Sequence, residues 1–260
     1  MSRSNGKMDN RALFCYNYRM EKNIELSVVI PCRNEEKNIE RAVTLTNNYL
    51  TRKNIKGEII VVDDGSEDAT FKIAKKLADS IPRPLNVIKL GKNSGKGAAV
   101  RKGVLASSGN FVLFTDADFS TDISELDNFL PVAGKDAEIV IASRSLPGSV
   151  LDPPQSFFRR AIGTLCRTLV SFLAVKGYKD TQCGFKLFSR KAADTIFPRL
   201  KTDGFAFDVE ALVLAEKLGF SVKEMPVRWK NSSDSRVNPV KDSFNFFLQL
   251  LRGFYKKGDG

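Results

Sequence analysis

The sequence predicts an α/β fold whose mostly parallel central sheet is flanked by helices. Three observations carry that prediction. Short Val- and Ile-rich runs alternate with longer helical stretches through residues 26–142. The runs are apolar at nearly every position, as in strands covered on both faces. Acidic or glycine-rich turns follow them, at the carboxyl ends where α/β sheets bind ligands.

Leu26 to Pro31 (LSVVIP) reads as the first strand and Glu35 to Leu50 as the first helix. Glu58 to Asp63 (EIIVVD) is a second strand, Ala69 to Ala78 a helix, and Leu85 to Leu90 a third strand. Gly97 to Ala106 is a helix, Asn110 to Thr115 (NFVLFT) a fourth strand, and Glu138 to Ala142 (EIVIA) a fifth. Strands that alternate with helices predict right-handed βαβ units. Ser145 to Gln155, with its Pro and Gly, reads as a loop. An apolar, basic helix is expected over 155–175, where Phe158, Ile162, Leu165, Leu169 and Phe172 recur at helical spacing beside Arg159, Arg160 and Arg167. After a mixed region come a helix from Val209 to Leu218, a strand around Val222 to Val227, and an amphipathic basic helix over 240–257. The expected organisation is an N-terminal extension over 1–25, one domain over 26–238, and a C-terminal amphipathic basic helix over 239–260.

The chain has 260 residues, 42% of them hydrophobic, enough for a sizeable core. Its net charge of +11 points to a polyanionic partner: phosphorylated ligands, an anionic membrane surface or nucleic acid. No nucleic-acid-binding motif accompanies the charge. There is no histidine, which excludes His-based general bases and Ser-His-Asp triads, so any metal must be held by oxygen or sulfur. Cys15, Cys32, Cys166 and Cys183 lack metal-binding spacing and suggest no disulfide framework. No apolar run reaches the roughly 20 residues that a membrane-spanning helix requires.

The strongest chemical signal is Thr115-Asp116-Ala117-Asp118, directly after the fourth strand. In an extended segment Asp116 and Asp118 point the same way. Carboxylates so close repel each other unless a cation or proton lies between them. A hard divalent ion, Mg²⁺ or Mn²⁺, answers that need and also binds diphosphate. Ser120 is placed to add a hydroxyl or to hold a metal-bound water. Asp63-Asp64-Gly65-Ser66 ends the second strand, where a carboxylate can accept hydrogen bonds from a nucleobase; a helix-capping turn is the plainer reading. Pro31-Cys32-Arg33-Asn34-Glu35-Glu36 ends the first strand. Gly91 to Gly97 (GKNSGKG) leads into a helix whose first amides, with Lys92 or Lys96, can meet phosphate. The segment is not a P-loop, and no G-x-G-x-x-G follows the first strand, which argues against a dinucleotide-dependent oxidoreductase.

Taken together, VVIPCRNEEKNI, VVDDGSEDAT, NSGKGAAVRKG and FTDADFS resemble, in order and spacing, the nucleotide-sugar half of glycosyltransferase family 2, which has a GT-A type fold. The resemblance implies that Pro31, Arg33 and Glu35 line the nucleoside, that Asp63 or Asp64 holds the base, and that Asp116 and Asp118 bind metal and diphosphate. DTQCGFKLF (Asp180 to Phe188), Phe207-Asp208-Val209-Glu210 and the Val227 to Val237 segment resemble the dolichyl-phosphate β-glucosyltransferase group, related to the dolichyl-phosphate mannosyltransferases. That implies glucose from UDP-glucose as donor and dolichyl or polyprenyl phosphate as acceptor, with mannose from GDP-mannose as the alternative. Arg144 and Arg236 are then expected on phosphates, and Gln182 and Asp208 near the transferred sugar.

Direct displacement at the anomeric carbon inverts its configuration and leaves a β-linked product. The acceptor phosphate is already anionic near pH 7 (second pKa about 6), so a chain without histidine suffices. Asp118 and Asp208 are candidates to orient the acceptor. Members of the glucosyltransferase group often carry an N-terminal membrane helix. This sequence shows none: either the helix is absent in this protein or the chain is a truncated form, and membrane contact is then expected from the two amphipathic helices or from an anchoring partner. The expected location is peripheral, on the cytosolic face of a membrane: the endoplasmic reticulum in a eukaryote, the plasma membrane in a prokaryote.

Overall fold

A computed structural model of the chain describes residues 23–152 and 177–230. The helices expected over 155–175 and 240–257 lie outside these residues, as do Arg236, Cys15 and Cys166. In chain order the elements are β1 (Leu26–Cys32), α1 (Ile39–Arg52), β2 (Gly57–Asp63), α2 (Thr70–Ser80), β3 (Leu85–Lys89), α3 (Lys96–Ala106) and β4 (Phe111–Thr115). They continue with α4 (Leu126–Phe129), β5 (Ile139–Ser143), β6 (Val150–Asp152), β7 (Phe185–Ser189), α5 (Arg190–Ile196), α6 (Phe207–Lys217), β8 (Val222–Pro226) and β9 (Arg228–Lys230). Single 3₁₀ turns precede α4 and follow α5.

Seven strands form one sheet in the order β3-β2-β1-β4-β7-β5-β8. All its pairings are parallel except those of β7, which runs antiparallel to both β4 and β5. Successive side chains of the runs point to opposite faces. Val29, Ile60 and Val62 pack under α3, α5 and α6, whereas Val28, Ile30, Ile59 and Val61 pack under α1, α2 and α4. Each such fully buried aliphatic side chain contributes on the order of 1.5–3 kcal/mol. Both faces are therefore covered, as the unbroken apolar runs predicted. Among the described residues no helix is long and apolar enough to cross a membrane.

The structure corrects four details of the sequence reading. The first helix starts at Ile39 rather than Glu35. Residues 35–38 form a turn instead, held to the next loop by the Glu35 amide donating to Thr70 Oγ1 at 2.7 Å. The 145–155 loop contains β6, which pairs with β9 in a separate two-stranded parallel ribbon. The expected strand around Val222 to Val227 divides at Val227 into β8 and β9. The region left as mixed contributes a central strand, β7.

Candidate functional site

The carboxyl ends of β1, β2 and β4 open onto one edge of the sheet, and the antiparallel β7 brings its amino end to the same edge, Phe185 opposite Thr115. Asp116 follows β4 directly, and its amide donates to the Gly184 carbonyl at 3.1 Å. A β-carbon on Gly184 would overlap the Asp116 carboxylate, so glycine here lets that carboxylate keep its place. The Asp116–Phe119 turn closes with the Phe119 amide on the Asp116 carbonyl at 3.2 Å. Phe119 takes a left-handed φ of 52°, uncommon for a bulky residue, with its ring buried in the core. Asp118 Oδ1 accepts from the Ser120 amide at 2.9 Å.

Burial, and then the neighbouring Asp116, push the Asp118 carboxyl above its ordinary range. Asp118 therefore feels the charge of Asp116 beside it. Lys96, at the first position of α3, places Nζ 2.6 Å from Asp116 Oδ1. Burial opposes its charge, but Asp116, with Asp208 and Asp118, outweighs burial and holds the ammonium above its ordinary value. Among the described residues no group of three or more Asp, Glu, Cys or His side chains forms a metal-holding cluster. Asp116 and Asp118, neighbouring carboxylates that offer only oxygen donors, nevertheless suit a hard cation, which would take the rest of its shell from water or phosphate oxygen.

A second group gathers at the ends of β1 and β2. Asp64 is buried, and its carboxylate accepts from the amides of Ser94 at 2.6 Å and Gly95 at 2.9 Å. Asn93 completes this arrangement, its amide nitrogen donating to Asp64 Oδ2 and its oxygen accepting from Arg33 Nη1, each at 3.1 Å. Asp64 therefore pins the loop that leads to Lys96. Gly95, at φ +105°, packs against the Asp203 carbonyl where no side chain fits. Asp63, fully buried, accepts from the Ser66 amide at 3.3 Å. Glu35 accepts from Asn38 Nδ2 at 2.7 Å, and Pro31 lies within β1. Burial first, then the encircling Asp63, Glu35, Asp68 and Asp64, raise the Cys32 thiol far above its ordinary pKa, so it stays protonated.

A third group lies toward β5 and β7. Arg144, just past β5, grips Asp180 with Nε at 2.6 Å and Nη2 at 2.9 Å, and its own amide adds a third bond at 3.0 Å. Burial alone would raise Asp180, but Arg144 overrides it and holds the carboxyl down at about 2. The Arg144 guanidinium also stands 5.7 Å from the centre of the Trp229 ring. Asp180 Oδ1 accepts from the Gln182 amide at 3.2 Å, which sets the turn carrying Gln182. Asp208, in the first turn of α6, pairs with Lys186 of β7 at 2.6 Å.

The structure brings Asp116, Asp118, Lys96 and Asp208 within electrostatic reach of one another. It sets Glu35, Asp63 and Asp64 around Cys32 at the ends of β1 and β2, with Arg33 joined to Asp64 through Asn93. Arg144 is committed to Asp180 through two of its nitrogens. Sequence reasoning gave no separate role to Asp180, Gly184 or Lys186. The available signal was Lys186 itself, a lysine inside the apolar run Phe185-Lys186-Leu187-Phe188.

Residues 27–197 match the profile of glycosyl transferase family 2. The chain is 37% identical over 241 residues to a dolichyl-phosphate beta-glucosyltransferase of Dictyostelium discoideum, covering 88% of this chain and 74% of that protein. It is 37% identical over 251 residues to the Homo sapiens protein of the same name, covering 89% and 78%. In fold it is similar to glucosyl-3-phosphoglycerate synthase from Mycobacterium tuberculosis, solved with Mn²⁺, UDP-glucose and phosphoglyceric acid. The TM-score is 0.63 at 18% identity, covering 95% of this chain and 85% of that one.

Proposed function

The chain belongs to glycosyl transferase family 2, and from that premise we propose that it transfers glucose from UDP-glucose to the phosphate of dolichol or another polyprenol, giving a β-linked lipid-phosphate sugar. The observation that carries this reading is the acidic pair Asp116 and Asp118 at the end of β4, beside Lys96, in a chain similar to named dolichyl-phosphate beta-glucosyltransferases over nearly its whole length.

Asp116 and Asp118 would hold a Mg²⁺ or Mn²⁺ ion, which supplies charge neutralisation at the departing diphosphate. Lys96 stays charged and adds a second positive group there. The Asp64-pinned loop and Arg33, Glu35, Asp63 and Pro31 receive the nucleoside. Gln182 and Asp208 face the sugar. Arg144 and Arg236 receive the acceptor phosphate, whose oxygen attacks the anomeric carbon as the bond to UDP breaks. Because that oxygen is already anionic, no side chain needs to remove a proton.

The site works at a membrane surface on this reading, on its cytosolic face. The net charge of +11 favours anionic headgroups. The basic, apolar stretches of 153–176 and 231–260 leave the described fold at Asp152 and Lys230, paired residues of one ribbon. The reading is tested by incubating the purified protein with radiolabelled UDP-glucose, UDP-N-acetylglucosamine or GDP-mannose, a short polyprenyl phosphate and Mn²⁺. Label should enter the lipid from UDP-glucose. Faster transfer from GDP-mannose would overturn the sugar assignment, and no transfer from any donor would overturn the reaction.

A further inference from the structure

We propose that Lys186 is a positioning residue that locks the Asp180–Gly184 turn to the start of α6 and so sets where Asp208 stands in the site. The inference deepens the glucosyl-transfer reading and rests on it. Lys186 occupies a central strand position, opposite Phe114 on β4 and Ile141 on β5. Its side chain is 0% exposed and that of Asp208 is 5% exposed. Phe185, Leu187 and Phe188 around it are buried hydrophobics, so the strand by itself calls for an apolar residue here.

A lysine in such a place is costly. Two charges taken from water lose hydration that their attraction only partly restores, and apolar pairs of similar volume are often as stable or more so. The pair is therefore poorly explained by stability alone. Its geometry gives a better account. Lys186 Nζ donates to the Cys183 carbonyl at 2.7 Å and to Asp208 Oδ1 at 2.6 Å, and it stands 5.2 Å from the centre of the Phe114 ring. One ammonium thus ties together two segments from different parts of the chain.

Both segments belong to the site. The turn carries Gln182 and ends in Gly184, whose carbonyl receives the Asp116 amide. The helix carries Asp208, which also feels Lys96 and Asp116. Without the ammonium, nothing described links Cys183 to Asp208. The turn and the helix would then settle independently, and errors of about 1 Å in such constellations cost on the order of 100-fold in rate.

The test is a double-mutant cycle of Lys186→Gln, Asp208→Asn and the combined variant, in the full chain. The combined variant replaces an ion pair by a neutral hydrogen-bonding pair, so it stays foldable even where a single change does not. Transfer rate, KM for UDP-glucose, UDP affinity and melting temperature are measured for each. If Lys186 acts through Asp208, each single change lowers kcat by about 100-fold, and the combined change lowers it no further than the worse single one. KM and UDP affinity then stay within about threefold of the parent protein. The proposal is overturned if Lys186→Gln keeps kcat within about threefold, if the two losses multiply, or if UDP affinity falls in step with kcat. A parent protein that transfers no glucose sinks the functional reading. The crystal structure of Lys186→Gln then still decides the positioning role. A shifted Asp180–Gly184 turn supports it, and an unmoved turn with Asp208 in place refutes it.

Discussion

Lys96 and Asp116 meet at 2.6 Å across two different elements, the first turn of α3 and the end of β4. Their contact brings a cation from the glycine-rich loop to the acidic pair, and it is the point from which the expected behaviour of the site follows.

Asp116→Asn or Asp118→Asn should each lower transfer by roughly 100- to 1000-fold, the scale on which single groups stabilising transition-state charge act. Excess chelator should do the same to the parent protein. Full turnover in chelator, read from labelled lipid product, would remove the metal from the mechanism.

Gly184→Ala should damage activity more than folding. The new methyl meets the Asp116 carboxylate, a mobile group that can turn aside only by leaving its place in the site. The expected result is a loss of roughly 100-fold or more in kcat with a melting temperature lowered by a few degrees, about 1 kcal/mol of destabilisation. Unchanged kcat would show that Asp116 need not stand where it does.

Asp64→Ala should weaken UDP binding by about tenfold or more, because the amides of Ser94 and Gly95 lose their acceptor and the loop leading to Lys96 loses its anchor. Calorimetry in the presence of Mn²⁺ measures this. In the same experiment the parent protein should bind UDP more tightly than GDP.

Asp180 makes stability depend on acid pH in a definite direction. Its folded-state pKa of about 2 lies below its ordinary value of 3.8. The difference is worth roughly 2 kcal/mol, fully present above pH ~4 and lost as pH falls from ~4 through ~2. Thermal melts at pH 5, 3 and 2 should show this loss in the parent protein and a flatter profile in Asp180→Asn. Equal slopes would mean that Arg144 contributes nothing through this pair.

Removing residues 240–260 should reduce flotation with anionic vesicles at low salt while leaving UDP affinity largely intact, since the loops proposed to receive the nucleotide lie before residue 120. Each basic residue near an anionic surface is worth on the order of 1 kcal/mol, and high salt should erase the difference. Failure of the full chain to float at low salt would count against attachment by its own basic segments.

The parallel half of the sheet was legible because Val28 to Ile30 and Ile59 to Val62 are apolar at every position, a pattern that only a doubly covered strand requires. The acidic pair was legible for a similar local reason: Asp116 and Asp118 follow a buried strand two residues apart. β7 escaped notice because Lys186 breaks its apolar run, and the partner that makes this lysine tolerable, Asp208, lies 22 residues away. The Arg144–Asp180 pair spans 36 residues, so nothing local announced that this guanidinium also holds a buried carboxylate. The start of α1 was misplaced because Glu35 suits a first helical turn, yet its amide is taken by Thr70 from another loop.

The small β6–β9 ribbon gives the molecule a front and a back. Its strands are parallel and end side by side, Asp152 beside Lys230, so two distant parts of the sequence share one doorstep. That doorstep is stitched to the acidic turn: the Lys230 amide donates to the Ser120 carbonyl at 2.7 Å, and Trp229 bridges to Thr121. The strand ends that carry Asp152 and Lys230 thus lie beside the backbone two residues from Asp118. On the proposed reading, a membrane contact made next to this ribbon would lie beside the acidic turn itself.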